Sequence, residues 1–268
     1  MTQNIIKASI IDEISAQYKF IDTEYGKIFY MHKEGSSRYP IILIHGLGFD
    51  TKSWSKTIEE LNNSNKDFDI YAIDLLGHGN SDAPKDIDYK VNVQVEILKE
   101  FVEKLNLNPV IVGHSYGGWV TSLYAAFGYK AKALVLEDAG GFYESSELHD
   151  KNMEEGKEEI YKGVMRVEGN HDHVIRGILY ADNKEFYLNK EILSKIKVPT
   201  LIIWGEDDKS VPIEIWYKFH EYIKNSRFEK IPNSGHVSHY SKSEEFSKIL
   251  IDFYNNLKDK DLRKDKSI

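Results

Sequence analysis

The sequence predicts an α/β fold, a mostly parallel twisted sheet with helices on both faces and an inserted helical cap. Three observations carry the prediction. Short runs of Ile, Val and Leu alternate with stretches of helical period, as buried strands and their crossover helices do. One such run passes through a glycine-flanked serine directly into an apolar helix. The alternation then stops between residues 140 and 197, where charged residues and scattered aromatics leave no convincing buried strand.

In chain order, Tyr18 to Asp22 and Lys27 to His32 flank a turn at Gly26, which predicts an opening hairpin. The first buried strand is expected at Ile41 to Ile44. Others follow at Ile70 to Ile73, Val110 to Val112, Ala133 to Leu136 and Leu201 to Trp204, short apolar runs suited to strands covered on both faces. Between Val95 and Leu105, the residues Ile97, Leu98, Phe101, Val102 and Leu105 share one helical face. Trp119 to Phe127 makes a second apolar helix, stopped by Gly128.

A last helix is expected from about Ser243, buried through Phe246, Ile249, Leu250 and Phe253. Ser241 and Glu244 stand at capping-box spacing before it. From Lys258 to Ile268 the chain has too few apolar side chains to order itself and reads as a frayed tail. The organisation expected is a core of residues 1–139 and 198–268 with residues 140–197 inserted as a cap or lid.

The 268 residues, 41% of them apolar, suffice for such a core and its insertion. The net charge of −8 is spread over mixed Lys, Glu and Asp, so no basic stripe offers the footprint of a nucleic-acid binder. The absence of cysteine excludes thiol catalysis, disulfides and thiolate metal sites. The N-terminal residues lack a basic start followed by an unbroken apolar run, and no stretch is long and apolar enough to span a membrane. A cytoplasmic protein is therefore expected.

The chemistry-bearing segment is Val110-Ile-Val-Gly113-His114-Ser115-Tyr116-Gly117-Gly118, a strand turning through G-x-S-x-G into a helix. Such a turn leaves Ser115 at the strand tip, and the helix aims its N-terminal amides at the same point, with Tyr116 giving one backbone N–H to a developing oxyanion. A serine hydroxyl keeps its proton at neutral pH, so a base is required. Among the 10 histidines, His236 stands in a turn, Ile231-Pro-Asn-Ser-Gly235-His236, ahead of the last helix; His239 is its neighbour and rival. An acid to orient the imidazole is offered by Glu206, Asp207 and Asp208 after the Leu201 strand. His171-Asp172-His173 is too sparse for a metal centre and reads as a solvated loop.

These segments, together with His45-Gly46-Leu47-Gly48 and Gly205-Glu-Asp-Asp208-Lys-Ser-Val-Pro212, resemble the α/β-hydrolase family over nearly the whole chain. The resemblance implies that Asp208, rather than Asp207, is the acid of a Ser115-His236-Asp208 triad; Asp138, which ends the strand after the elbow helix where some members of the family place their acid, is its rival. It also implies that Leu47 supplies the second oxyanion-hole N–H, that His45 is structural, and that the loop Asp74 to Asp82 supports the site wall. It implies a serine hydrolase without cofactor or metal, acting on a small-molecule ester through an acyl-enzyme, as a carboxylesterase does. C–C bond, lactone and amide hydrolysis, peracid formation, acyl transfer and ligand sensing on the same fold stay open. Tyr143, Tyr161 and Tyr180 are expected either to line an acyl pocket or to form lid core.

Overall fold

A computed structural model describes residues 15–143 and 147–265, with side chains described for residues 15–143 and 156–257. Its strands are β1 (Gln17–Thr23), β2 (Gly26–Lys33), β3 (Ile41–Ile44), β4 (Ile70–Ile73), β5 (Val110–His114), β6 (Ala133–Glu137), β7 (Thr200–Gly205) and β8 (Ser226–Ile231). They form one eight-stranded sheet in the order β1-β2-β4-β3-β5-β6-β7-β8. β1 pairs antiparallel with β2, and β2 antiparallel with β4; every pairing from β4 to β8 is parallel.

Alternate residues of each central strand face opposite sides of the sheet, so an all-apolar strand feeds two cores. Ile42, Ile44, Ile111, Leu134, Leu136 and Ile202 pack on one side with α2 (Val91–Lys104), α3 (Tyr116–Ala126) and α7 (Ile213–Tyr222). Ile41, Leu43, Val110, Val112, Val135 and Leu201 pack on the other with α1 (Ser55–Asn63) and α9 (Ser243–Asp265). Each such side chain contributes about 1.5–3 kcal/mol by leaving water, which is why these strands needed no alternation to declare themselves.

The sequence places β1 to β7 within a residue or two of their observed ends. Two of its local readings differ from the structure. Ser241 does not open the last helix: it ends a short preceding helix, α8 (Ser238–Ser241), and its hydroxyl donates to the Val237 carbonyl instead of capping α9. The expected frayed tail is helical as far as Asp265. Once a helix is nucleated, each further residue is added at little cost, and Lys, Arg and Leu have good helix propensity; residues 266–268 of the expected tail lie outside the described residues.

Between β6 and β7 lie α4 (Glu147–Val164), α5 (Asp172–Tyr180) and α6 (Lys190–Leu193). Val174, Ile178, Leu188 and Leu193 of this segment join the same buried cluster as α2 and α3. Polar ties add to that contact: the Asn170 amide donates to the Gly48 carbonyl (3.1 Å), His173 Nε2 meets the Ala83 carbonyl (3.1 Å), and Trp119 donates to Phe186 (2.9 Å). Among the described residues, no helix is long and apolar enough to cross a membrane.

Candidate active site

β5 delivers Ser115 at its C-terminal end, where the main chain must reverse into α3. Ser115 takes φ 52° and ψ −113°, a strained conformation for a residue with a side chain. The turn closes only with glycines around it. A Cβ on Gly113 would stand 2.4 Å from the Gly117 carbonyl oxygen, and one on Gly117 would stand 2.5 Å from the main chain of Ile44 and His45.

The structure brings together three side chains that are far apart in sequence. His236 Nε2 lies 2.9 Å from Ser115 Oγ, and His236 Nδ1 lies 2.8 Å from Asp208 Oδ2. The other Asp208 oxygen accepts from the main-chain N–H groups of Ser210 (2.7 Å) and Val211 (3.2 Å), so the carboxylate is held in one rotamer. Of the acids left open after β7, Glu206 pairs with Lys230 at the surface and Asp207 is exposed; Asp208 alone turns inward.

Leu47 and Tyr116, the residues expected to offer main-chain N–H groups to an oxyanion, sit on the two loops nearest Ser115. Tyr116 is the first residue of α3, so its N–H has no acceptor within the helix. Leu47 follows Gly46, and a Cβ on Gly46 would come within 3.2 Å of Ser115 Cβ, which fixes how closely the two loops approach. His45 holds the Leu47 loop from beneath. Its Nδ1 bonds the Gly46 carbonyl (2.7 Å) and its Nε2 accepts from Leu75 N–H (3.0 Å). Burial keeps this imidazole neutral by lowering its pKa; burial and the neighbouring His45 push His78 down to about 3. Asp74 then accepts from Thr51 and Asn80 main-chain N–H groups, tying the Asp74–Asp82 loop to the residues after Gly48.

The rival base His239 is fully buried and pairs with Glu137 instead, at 2.7 Å. Asp138, the rival acid, is buried beside Asp208 and accepts from Gly205 N–H (3.0 Å). Sequence reasoning missed the Glu137–His239 pair, whose members are 102 residues apart and carry no shared motif. In His171-Asp172-His173, Asp172 engages Arg176 and Tyr161 while His173 bonds Ala83.

A cleft of about 550 Å³ opens beside the triad. None of the triad residues lines it; its lining includes Gly48 and Phe49, which follow Leu47, Val237, which follows His236, Tyr240, and Val167 to Asn170. Of the tyrosines expected at a pocket, Tyr161 of α4 bonds Asp172 of α5, and Tyr180 of α5 bonds Glu158 of α4, so the two helices tie to each other through them. Tyr143 lies against the ring of Tyr187, 5.2 Å between centroids.

Known proteins match this architecture throughout. A family model described as the alpha/beta hydrolase fold matches residues 39–161 and 161–243. Lipase 3 of Moraxella sp. (strain TA144) is 25% identical over 242 residues, covering 79% of this chain and 76% of the lipase. A 2-hydroxy-6-oxo-6-(2'-aminophenyl)hexa-2,4-dienoic acid hydrolase of Metapseudomonas resinovorans is 28% identical over 262 residues, 84% of this chain and 87% of that one. Among solved structures, a putative lipase of Acinetobacter baumannii AYE superposes with TM-score 0.77 at 21% identity, over 97% of this chain and 100% of that chain. An esterase of Exiguobacterium antarcticum gives 0.73 at 22% identity, over 89% and 100%. With its parallel sheet, its elbow serine and the family model spanning most of its length, the chain belongs to the α/β hydrolase fold family.

Proposed function

We propose that this protein is a serine hydrolase that cleaves a small carboxylic ester, with Ser115 as nucleophile, His236 as base and Asp208 as orienting acid. The observation that carries the reading is the continuous contact from Asp208 through both ring nitrogens of His236 to Ser115 Oγ, at 2.8 and 2.9 Å. Ser115 Oγ attacks the ester carbonyl while its proton passes to His236 Nε2, and the oxyanion is met by the N–H groups of Leu47 and Tyr116. His236 then protonates the departing alkoxide. Water repeats the sequence on the acyl-enzyme and frees the acid.

The cleft lined by Val237, the residue after His236, has a volume that suits a small-molecule substrate. Residues 140–197 act as a cap over this cleft, with the core formed by residues 1–139 and 198–268. The same groups support cleavage of a C–C bond in a ring-fission product, the reaction class to which the Metapseudomonas relative's name points.

The test is p-nitrophenyl ester hydrolysis across acyl chain lengths, with a ring-fission dienoate alongside. The parent is expected to turn over short-chain esters, and Ser115→Ala to lose at least about 10⁴-fold in kcat while keeping its fold. Turnover of the dienoate alone replaces the ester reading with the C–C one. Equal rates in parent and Ser115→Ala remove Ser115 as nucleophile. A parent that hydrolyses nothing but is stabilised by small ligands is a receptor on this fold.

A further inference from the structure

The C-terminal end of β6 touches each of the loops that carry the triad. The Glu137 carbonyl accepts from Ser115 N–H at 2.9 Å. The Glu137 carboxylate accepts from His239 twice, main-chain N–H to Oε1 at 2.8 Å and ring Nδ1 to Oε2 at 2.7 Å, three residues beyond His236. The Asp138 carboxyl accepts from Gly205 N–H at 3.0 Å, three residues before Asp208. Both side chains are fully buried, and Asp138 is held at φ 43°, an unfavourable conformation for aspartate that the surroundings must enforce.

We propose that the Glu137–Asp138 dipeptide is the positioning piece of this site, one carbonyl and two carboxyl groups that fix the Ser115, His236 and Asp208 loops relative to one another. The inference rests on the triad reading above. Neither residue touches the reacting atoms; each acts through the loop it holds. His114 completes the His236 arm, its Nε2 lying 2.7 Å from the His236 carbonyl. On the other arm, one oxygen of Asp138, one of Asp208 and a ring nitrogen of His236 all lie within 4.8 Å of one another. Burial, with Glu137 and then Asp208 close by, raises the Asp138 pKa well above the usual carboxylate value, which favours its protonated form.

The geometry is tested by the rate at which an alkyl fluorophosphonate labels Ser115 in the full chain, read by mass spectrometry across pH. Ser115 Oγ bonds phosphorus, fluoride departs, and the serine proton goes to His236. Folded Glu137→Ala and Asp138→Ala are expected to label about 100-fold more slowly, since a displaced loop misaligns the attack. Glu137→Gln and Asp138→Asn keep shape and polarity and are expected to recover to within about tenfold of the parent, the scale of one altered hydrogen bond. The pH midpoint of labelling in Asp138→Asn should match the parent, because the amide oxygen can still accept from Gly205 N–H and the proposed role is that of a holder.

Alanine variants that fold and label at the parent rate overturn the proposal. So does Asp138→Asn with a midpoint moved by a full pH unit, which would make Asp138 a charged partner and not a holder. Should Glu137→Ala fail to fold, Glu137→Asp, charged but one methylene short, takes its place: a large loss is expected, and a parent-like rate is the overturning result. A parent left unlabelled at Ser115, while its other variants are equally inert, is a failure of the triad itself and is told apart from a failure of positioning, in which Ser115 labels at one rate in every chain.

Discussion

Two histidine–carboxylate pairs stand three residues apart at one rim of the sheet. His236 meets Asp208 through Nδ1 at 2.8 Å, and His239 meets Glu137 through Nδ1 at 2.7 Å. In both, a carboxylate from the end of a strand selects a tautomer. They part at the second ring nitrogen. His236 Nε2 reaches Ser115 Oγ, and its side chain is 20% exposed. His239 is fully buried, its Nε2 has no hydrogen-bond partner among the described residues, and its ring lies 4.0 Å from that of Trp54. Pairing orients an imidazole; access to a nucleophile is what lets it act as a base. Between the two lies His114, with ring centroids 4.9 Å from His236 and 4.7 Å from His239. Burial first, then His239 and His236, depress its pKa, so the neutral ring donates from Nε2 to the His236 carbonyl.

The sharpest way to break this comparison is activity. His236→Ala is expected to lose at least about 10⁴-fold in kcat for the best ester, whereas His239→Gln keeps the proposed machinery and loses at most about 100-fold through loop displacement. An equal collapse in a folded His239→Gln would mean that the buried pair takes part in proton transfer.

Stability should rank the two the other way. Removing one partner of a buried pair strands the other, so His239→Ala should cost about 3–5 kcal/mol in urea unfolding. His236→Ala, at a partly open site, should stay within about 1 kcal/mol of the parent. Similar losses for both would show that the triad loop also depends on His236 for its fold.

The sequence shows one of these pairs far better than the other, for a physical reason. The elbow is legible because steric need concentrates at Gly113 and Gly117 beside Ser115, within one local pattern. The strands are legible because a strand covered on both faces must be apolar throughout. Asp208 is not legible by chemistry alone: Glu206, Asp207 and Asp208 are equivalent until the turn after β7 directs one inward, and only the resemblance to a family separates them. Glu137 and His239 are silent because a buried histidine–carboxylate contact joins distant residues and imposes no spacing on either. The cleft is equally silent. It is lined by residues from several separate segments, such as Phe49, Asn80, Glu168 and Val237, while Tyr161 and Tyr180 satisfy acids of their own segment.

The smallest effect separates the two acids beside His236. Asp208 receives hydrogen bonds from Ser210 and Val211, whereas Asp138 is raised well above its ordinary value of 3.8 by burial, then by Glu137 and Asp208. A carboxyl whose folded pKa is raised binds its proton more tightly in the native state. Its contribution to stability is therefore fully present below the unfolded value and is lost as pH rises through the folded one. Asp138→Asn cannot ionise and escapes that loss. The melting temperature of Asp138→Asn should thus gain on the parent steadily as pH is raised from about 5 to about 8, with the two chains closest at the acid end. A gap that stayed constant over this range would mean that Asp138 is ionised in the native protein, and the two acids beside His236 would then differ in what they hold, the His236 ring for one and Gly205 N–H for the other.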